Sequence, residues 1–339
     1  MRISVIAPMR DEAANVDSFV ADLDAQDFAG ELEVLVADGR STDDSVERLR
    51  AAAARAGLEL TVLDNPAGWV SPGLNLCIAR AGGDLVVRLD CHSRYPADYL
   101  RRCAELAEST GAWNVGGRVV PRGETEMERA VACAMDSPFG GIGWTRMGGA
   151  EPVEVDTVTF GAFRPEAFER AGVFDEELVR NQDDEFNLRL REAGGRIVLD
   201  PTLTVDYRPR GSLRGVWRQY YEYGAWKVPV MLKHRQVLSL RSMAPLAFLA
   251  SLAALAALSV FSRAARVVLA AELAAYLAGA AFFGARAVRG RGEPLTLAPR
   301  VACAFPAFHL SYGIGMARGW LAAAFRRGRG SGAGEGGER

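Results

Sequence analysis

The chain has 339 residues, 49% hydrophobic and 24% charged, with a formal net charge of −2 at pH 7. That length fits one large domain or two smaller ones, and the near-neutral balance excludes bulk nucleic-acid binding, which needs a strong basic excess. Cys77, Cys91, Cys103, Cys133 and Cys303 show no CxxC or metal-type spacing and read as reduced thiols.

The opening run, Met1-Arg-Ile-Ser-Val-Ile-Ala-Pro8, is too short for a signal peptide, and Arg10, Asp11 and Glu12 follow at once. This predicts an N-terminal domain that stays in the cytoplasm. Residues 3–7, 32–37, 60–63 and 85–89 are short apolar runs, each compatible with a strand covered on both faces. Helical stretches lie between them, at 13–26, 41–56 and 72–80, with Ser41-Thr-Asp-Asp as a helix-start signal. Strand–helix alternation at this spacing predicts a parallel, doubly wound sheet. Ligands of such sheets bind at the carboxyl ends of the strands. The segments just past those ends, 8–12, 38–41 and 90–94, all carry acids.

Beyond them, 113–120 and 153–160 read as strands and 181–193 as a helix with Asn181 at its cap. The glycine-rich stretch 137–149 has the length of a lid loop.

From Met243 the composition changes. Residues 243–261 are uncharged, and 267–285 carry one acid, Glu272. At ~1.5 Å per residue each run covers most of a ~30 Å hydrocarbon core. The bland alternative is a pair of buried core helices. The run 301–325, interrupted by Pro306, His309 and Arg318, is compatible with spanning, re-entry or an interfacial position. Basic residues crowd the join before the first run (Arg208, Arg210, Arg214, Arg218, Lys227, Lys233, Arg235, Arg241), while the following turn has Arg263 and Arg266. This asymmetry predicts that the join and the α/β domain face the cytoplasm. The join also holds Trp217, Tyr220, Tyr221 and Trp226, a composition suited to an interfacial helix. The resulting layout is an α/β domain at 1–210, a basic and aromatic interfacial join at 211–241, a helical membrane region at 242–325 with two helices and a third segment, and a disordered tail at 326–339.

The acids at the strand ends resemble those of family 2 glycosyltransferases, inverting nucleotide-sugar enzymes of the GT-A fold. The resemblance is carried by Val5-Ile-Ala-Pro-Met-Arg-Asp-Glu12, Val36-Ala-Asp-Gly-Arg-Ser-Thr-Asp43 and Arg88-Leu-Asp-Cys-His92, the last a variant of an Asp-x-Asp motif. It continues through Phe160-Gly-Ala-Phe-Arg164, Val173-Phe-Asp-Glu176 and Asn181-Gln-Asp-Asp-Glu-Phe-Asn-Leu-Arg189. Pro72-Gly-Leu-Asn75, the Asp-x-His variant, Ser137-Pro-Phe-Gly140 and Asn181-Gln-Asp-Asp-Glu185 look most like the succinoglycan ExoA-like branch. The implied fold is a Rossmann-like GT-A nucleotide-diphospho-sugar transferase domain, followed here by the helical membrane region.

The resemblance implies donor binding by Pro8, Glu12, Asp38 and Asp90. Asp38 also fits an ordinary Asx-turn, and Glu12 an acid in a first helical turn. Asp90 and His92 are the divalent-metal candidates, for Mn²⁺ or Mg²⁺, and the imidazole suits Mn²⁺ better. Asp183 is the candidate general base. On helical spacing it shares a face with Phe186 and Leu190, whereas Asp184 and Glu185 point elsewhere. Asp184, Arg208, Arg210 and Gln219 are candidates for acceptor or phosphate contacts. Gln219-Tyr-Tyr-Glu-Tyr223 stands where processive synthases carry Gln-x-x-Arg-Trp, so its Glu222 and Tyr223 argue against processive synthesis.

The leading expectation is an inverting hexosyltransferase in the cytoplasmic (inner) membrane. It would move one sugar from a nucleotide sugar, a UDP-hexose, to a lipid-linked (polyprenyl diphosphate) saccharide during exopolysaccharide synthesis, with polysaccharide assembly proteins as further partners. The alternatives are a transferase to polyprenyl phosphate, a catalytically silent nucleotide-binding subunit of an export assembly, and a polymer-conducting synthase.

Overall fold

The computed structural model describes residues 1–141, 149–236 and 240–331, with side chains through 325. Residues 1–120 and 144–208 form one compact unit, and 121–143 and 209–339 form another.

The first unit opens with β1 (Arg2–Met9), α1 (Val16–Asp24), β2 (Glu31–Asp38), α2 (Ser45–Ala56), β3 (Glu59–Asp64), α3 (Val70–Ile78) and β4 (Leu85–Arg88). These four strands are parallel, with Met9 opposite Asp38, Asp38 opposite Asp64, and Ile6 opposite Arg88. In β1, β2 and β4 the continuous apolar runs follow from burial on both faces; β3, expected to be covered likewise, stands at the end of the sheet and has no buried residue. Val5 and Ala7 of β1 join Phe19, Leu49 and Tyr99 in one core, and Ile6 joins Leu35, Leu74 and Phe186 in another.

The chain continues with β5 (Ser93–Arg94), α4 (Tyr99–Thr110), β6 (Asn114–Pro121), α5 (Glu126–Asp136), β7 (Val153–Glu154), β8 (Ala162–Phe163), α6 (Pro165–Ala171), α7 (Gln182–Glu192) and β9 (Ile197–Tyr207). The strand order is β3-β2-β1-β4-β8-β6-β9-β5, with β7 on β9. The expected parallel sheet is therefore confined to β1–β4. β8 is antiparallel to β4 and β6, and β5 and β7 are antiparallel to β9. The strand expected at 153–160 shrinks to two residues. Helix α2 starts after Asp44 rather than at Ser41, because the Ser41 hydroxyl is committed to Asp38. Of the glycine-rich stretch, 142–148 lies outside the described residues, and Pro138–Gly140 is a 3₁₀ turn.

The second unit holds α5, that turn, α8 (Leu213–His234), α9 (Leu240–Ser259), α10 (Arg263–Gly290) and α11 (Ala298–Ser331). The join at 211–241 is mostly one helix, and α11 runs past the expected start of the tail. Residues 332–339 lie outside the described residues.

Close crossing of α8 and α11 explains two glycines. A Cβ on Gly224 would stand 2.1 Å from the Tyr312 carbonyl oxygen, and one on Gly315 would stand 2.1 Å from that of Tyr221. Phe139 sits in an aromatic socket, 5.3 Å from Phe283, 5.0 Å from Phe305 and 5.5 Å from Tyr276 between ring centroids. His309 Nε2 donates to the Phe139 carbonyl at 2.9 Å, and the Tyr276 hydroxyl lies 2.8 Å from His309 Nδ1. The Ser-Pro-Phe-Gly motif thus serves as an anchor on α10 and α11. Residues 121–141, assigned in the sequence to the α/β domain, group with the helices.

Helices α9 and α10 are long and apolar enough to cross a membrane. Their most apolar windows have mean hydropathy 1.8 and are 0% and 11% buried. The core helices of a soluble domain would be mostly buried, and these are mostly exposed within the chain.

Candidate active site

The parallel strands deliver Pro8, Asp38 and Arg88 to one edge of the sheet, and the loops beyond them are cross-tied. Asp11 adopts a left-handed backbone (φ 52°), as do Arg40 (φ 60°) and Asn181 (φ 62°) at neighbouring loops. Short polar side chains tolerate this conformation best. The Asp11 carboxylate accepts from the Thr42 amide at 2.7 Å, and its own amide donates to Ser41 Oγ at 2.9 Å. Asp38 accepts from Ser41 Oγ at 2.6 Å and from the Ser41 amide, the Asx-turn geometry. Glu12 Oε1 lies 3.0 Å from His92 Nδ1, which links the first strand-end loop to the fourth.

The centre of the site is a group that sequence reasoning passed over. Arg88, the last residue of β4, has 4% of its side chain exposed. Its Nη1 donates to Asp183 Oδ1, and Nε and Nη2 reach Asp90 Oδ1 at 3.3 Å. Burial opposes a charged guanidinium, but Asp183 and Asp90 outweigh it and raise the Arg88 pKa. Burial likewise pushes the Asp183 carboxyl up, to about 7; Arg88 pulls it down, and Asp90 and Asp184 push it further up. A carboxylate poised near neutrality is suited to taking a proton and releasing it again. Asp90 is held from behind, its amide donating to the Tyr95 hydroxyl at 2.8 Å, while the Tyr95 ring packs on Tyr99 and Phe160. The available signal for Arg88 was an arginine closing an otherwise apolar strand.

Helix α7 presents Asp183 from a rigid seat. Phe186, fully buried, lies 4.7 Å from Phe174 and 5.5 Å from Phe163 between centroids. Asn114 Nδ2 donates to Asn187 Oδ1 at 2.8 Å, and Asn187 Nδ2 donates to Thr157 Oγ1 at 2.8 Å. Asp183 lies toward the buried Arg88, as its helical spacing predicts, whereas Glu185, expected to point elsewhere, is buried as well. That residue is fully buried, because Arg189, one turn on, covers it at 2.8 Å and also donates to the Val173 carbonyl. Asp184 is half-buried in the same first turn. Asn181 stands at the cap position, and no side-chain cap hydrogen bond forms there.

The donor set at Asp90 and His92 fits a divalent cation. The Glu12 carboxylate on His92 Nδ1 is the kind of support that metal-binding histidines commonly have. Among the described residues no three His, Cys, Asp or Glu side chains gather as a ready-made cage. Hard cations in phosphate-transfer sites are commonly completed by phosphate oxygens and water. Arg208, which ends the first unit, is exposed, as is Arg210 in the second. Gln219 donates to the Tyr223 hydroxyl at 3.0 Å within α8.

Comparison with known proteins gives a concordant result. The model of the family described as "Glycosyl transferase family 2" matches residues 4–169. The succinoglycan biosynthesis protein ExoA of Rhizobium meliloti is 33% identical over 244 residues, covering 71% of this chain and 74% of that protein. A Methanococcus voltae protein, dolichyl N-acetyl-alpha-D-glucosaminyl phosphate 3-beta-D-2,3-diacetamido-2,3-dideoxy-beta-D-glucuronosyltransferase, is 24% identical over 233 residues, covering 66% of this chain and 72% of its own. Among solved structures, the mannosyltransferase PcManGT of Pyrobaculum calidifontis, in complex with GDP-Man and Mn²⁺, is similar in fold. Its TM-score is 0.65 at 22% identity, covering 91% of this chain and 86% of that one.

Proposed function

The chain belongs to glycosyl transferase family 2, and we propose that it moves a single sugar, with inversion, from a nucleotide sugar to the hydroxyl of a lipid-linked saccharide in exopolysaccharide synthesis. The observation that carries this reading is the pair of partly buried carboxylates, Asp183 and Asp90, on the two sides of the buried Arg88. Inverting transfer needs one carboxylate opposite the leaving group. As the acceptor oxygen bonds to the anomeric carbon and the carbon–diphosphate bond breaks, Asp183 takes the hydroxyl proton. A polyprenyl-phosphate acceptor is already an anion and would need no such base, so the site favours a hydroxyl.

Pro8, Glu12, Asp38 and Asp90 form the donor side, with a UDP-hexose as donor. A divalent cation held by Asp90 and His92 would supply Lewis-acid neutralisation of the departing diphosphate. Glu12 orients His92, and Tyr95 fixes Asp90. Asp184, Arg208, Arg210 and Gln219 are the acceptor-side or phosphate-side candidates.

The lipid-linked acceptor is supported by α9 and α10 on the same chain and by the relatives: one named for succinoglycan biosynthesis, the other for transfer to a dolichyl-phosphate sugar. The basic join supports a cytoplasmic-membrane location with the α/β unit on the cytoplasmic side. The test is to incubate membranes containing the enzyme with radiolabelled nucleotide sugars, with and without chelator, and to extract the lipid. Label in a saccharide-bearing lipid, lost on chelation and restored by Mn²⁺ at least as well as by Mg²⁺, is the expected result. Label on polyprenyl monophosphate, or none with any donor, refutes the reading.

A further inference from the structure

One guanidinium, 4% exposed, spans the proposed base and the proposed donor-side acid, whose side chains are 22% and 16% exposed. It uses different edges for the two, Nη1 toward Asp183 and the Nε–Nη2 side toward Asp90. We propose that Arg88 is a positioning residue for the transfer reaction, a buried rigid fork that sets where the Asp183 carboxylate stands relative to Asp90. This rests on the reading of Asp183 as base and Asp90 as donor-side ligand given above.

Asp90 follows a strand end and is fixed through Tyr95, whereas Asp183 arrives on α7, far along the chain. Two carboxylates brought together at low dielectric repel. A planar guanidinium offers donors at fixed angles and holds both at once, which an ammonium on a flexible stem cannot do. In-line attack tolerates little error, since misplacing a reacting group by ~1 Å costs about 10²-fold in rate. A purely structural ion pair accounts less well for the arrangement. Buried pairs add little net stability compared with apolar residues of similar volume, and the Phe186 cluster and Asn187 already seat α7 without Arg88.

The test uses the full-length enzyme with R88M, R88K, D183N and the R88M/D183N double variant. It measures donor binding, thermal midpoint, kcat and KM. The expected R88M enzyme is folded and binds donor, with kcat down about 10²-fold. In the D183N background the same change should cost less than about threefold, because a residue that acts through Asp183 has nothing left to position. R88K restores charge without the fork, so it should keep the thermal midpoint and remain at least about tenfold slow.

R88M turnover within about threefold of wild type, or an undiminished loss in the D183N background, overturns the inference. If R88M does not fold, R88K decides alone, and wild-type turnover by R88K overturns it. A fully active D183N refutes the base assignment itself, whereas an inactive D183N beside an active R88K refutes only the role of Arg88.

Discussion

Strand β1 and helix α9 are both built mostly of apolar residues, and they treat them in opposite ways. Ile3, Val5, Ile6 and Ala7 of β1 are all 0% exposed, while α9 has no buried residue. In α10, Val267 is 68% exposed, and Leu277 and Phe282 are each 62% exposed. Leaving such a side chain in water forgoes about 1.5–3 kcal/mol. A row of them is stable where the surroundings are themselves apolar.

The polar groups differ in the same sense. The α/β unit buries Arg88, Glu185 and Asn187 with partners supplied by several elements. On the two apolar helices polar groups meet helix to helix, Ser251 of α9 donating to Glu272 of α10 and Tyr276 of α10 pairing with His309 of α11. In hydrocarbon a polar group must be satisfied within the protein. One unit thus hides its apolar atoms from water and spends its buried polar atoms on a site. Helices α9 and α10 of the other display apolar atoms, and Ser251, Glu272 and Tyr276 on them pair with neighbouring helices.

The sharpest way to break that contrast is to remove the polar atom on which the site depends. D183N should keep donor binding and lose roughly 10²–10⁴-fold in kcat, about 3–5 kcal/mol of barrier. Single-turnover transfer to extracted lipid acceptor is the measurement, and near-wild-type turnover would refute the role. The pH profile sharpens the same point. Because Asp183 sits at about 7 and must be ionised to accept a proton, kcat/KM should fall about tenfold per unit as pH drops below that value. The limb should be absent from the residual activity of D183N.

An apolar deletion in the α/β unit comes next. Phe186→Ala removes a fully buried ring from among Phe163, Phe168 and Phe174. The cavity should cost about 3–5 kcal/mol, read as a lowered denaturation midpoint. A shift equivalent to less than about 1 kcal/mol would mean that this cluster does not seat α7.

These two residues also mark what could be read from the sequence. Phe186 and Asp183 declared themselves through helical spacing, and β1, β2 and β4 through runs buried on both faces. β9 did not, because Asp200 and Pro201 interrupt its apolar pattern. Glu185 fell off the apolar face by spacing yet is fully buried, since Arg189 covers it. Arg88 offered only the cue of an arginine closing an apolar strand, and its pairing with Asp183, 95 residues away, had no local sign. The attachment of 121–141 to the helical unit depends on where Phe139 lodges, among residues from Tyr276 onward in the chain. Local periodicity reports what a segment buries, and pairings between distant segments lie outside its reach.

A charge on the exposed apolar surface tests the other half of the contrast. Leu277 lies near the middle of α10. If α10 spans a bilayer, Leu277→Arg should cost about 2.5–3.5 kcal/mol of insertion, seen as loss of the protein from carbonate-washed membranes. If that face meets water, the charge should be harmless and the protein should fractionate as before.

The smallest effect is expected from the mildest change at the same position. Leu277→Ala removes the same kind of atoms as Phe186→Ala, but from a side chain that is 62% exposed. Few protein contacts are lost and no enclosed cavity is left. In a membrane the shortened side chain simply trades lipid contact for lipid contact. The change in stability should be within about 0.5 kcal/mol, and transfer to the lipid acceptor should be unaltered. The measurement is thermal unfolding in detergent alongside transfer in membranes, with Phe186→Ala as the reference. A Leu277→Ala penalty approaching that of Phe186→Ala would mean that protein, rather than lipid, covers this face. The second unit would then be half of an interface, and the contrast with β1 would collapse into two instances of ordinary burial.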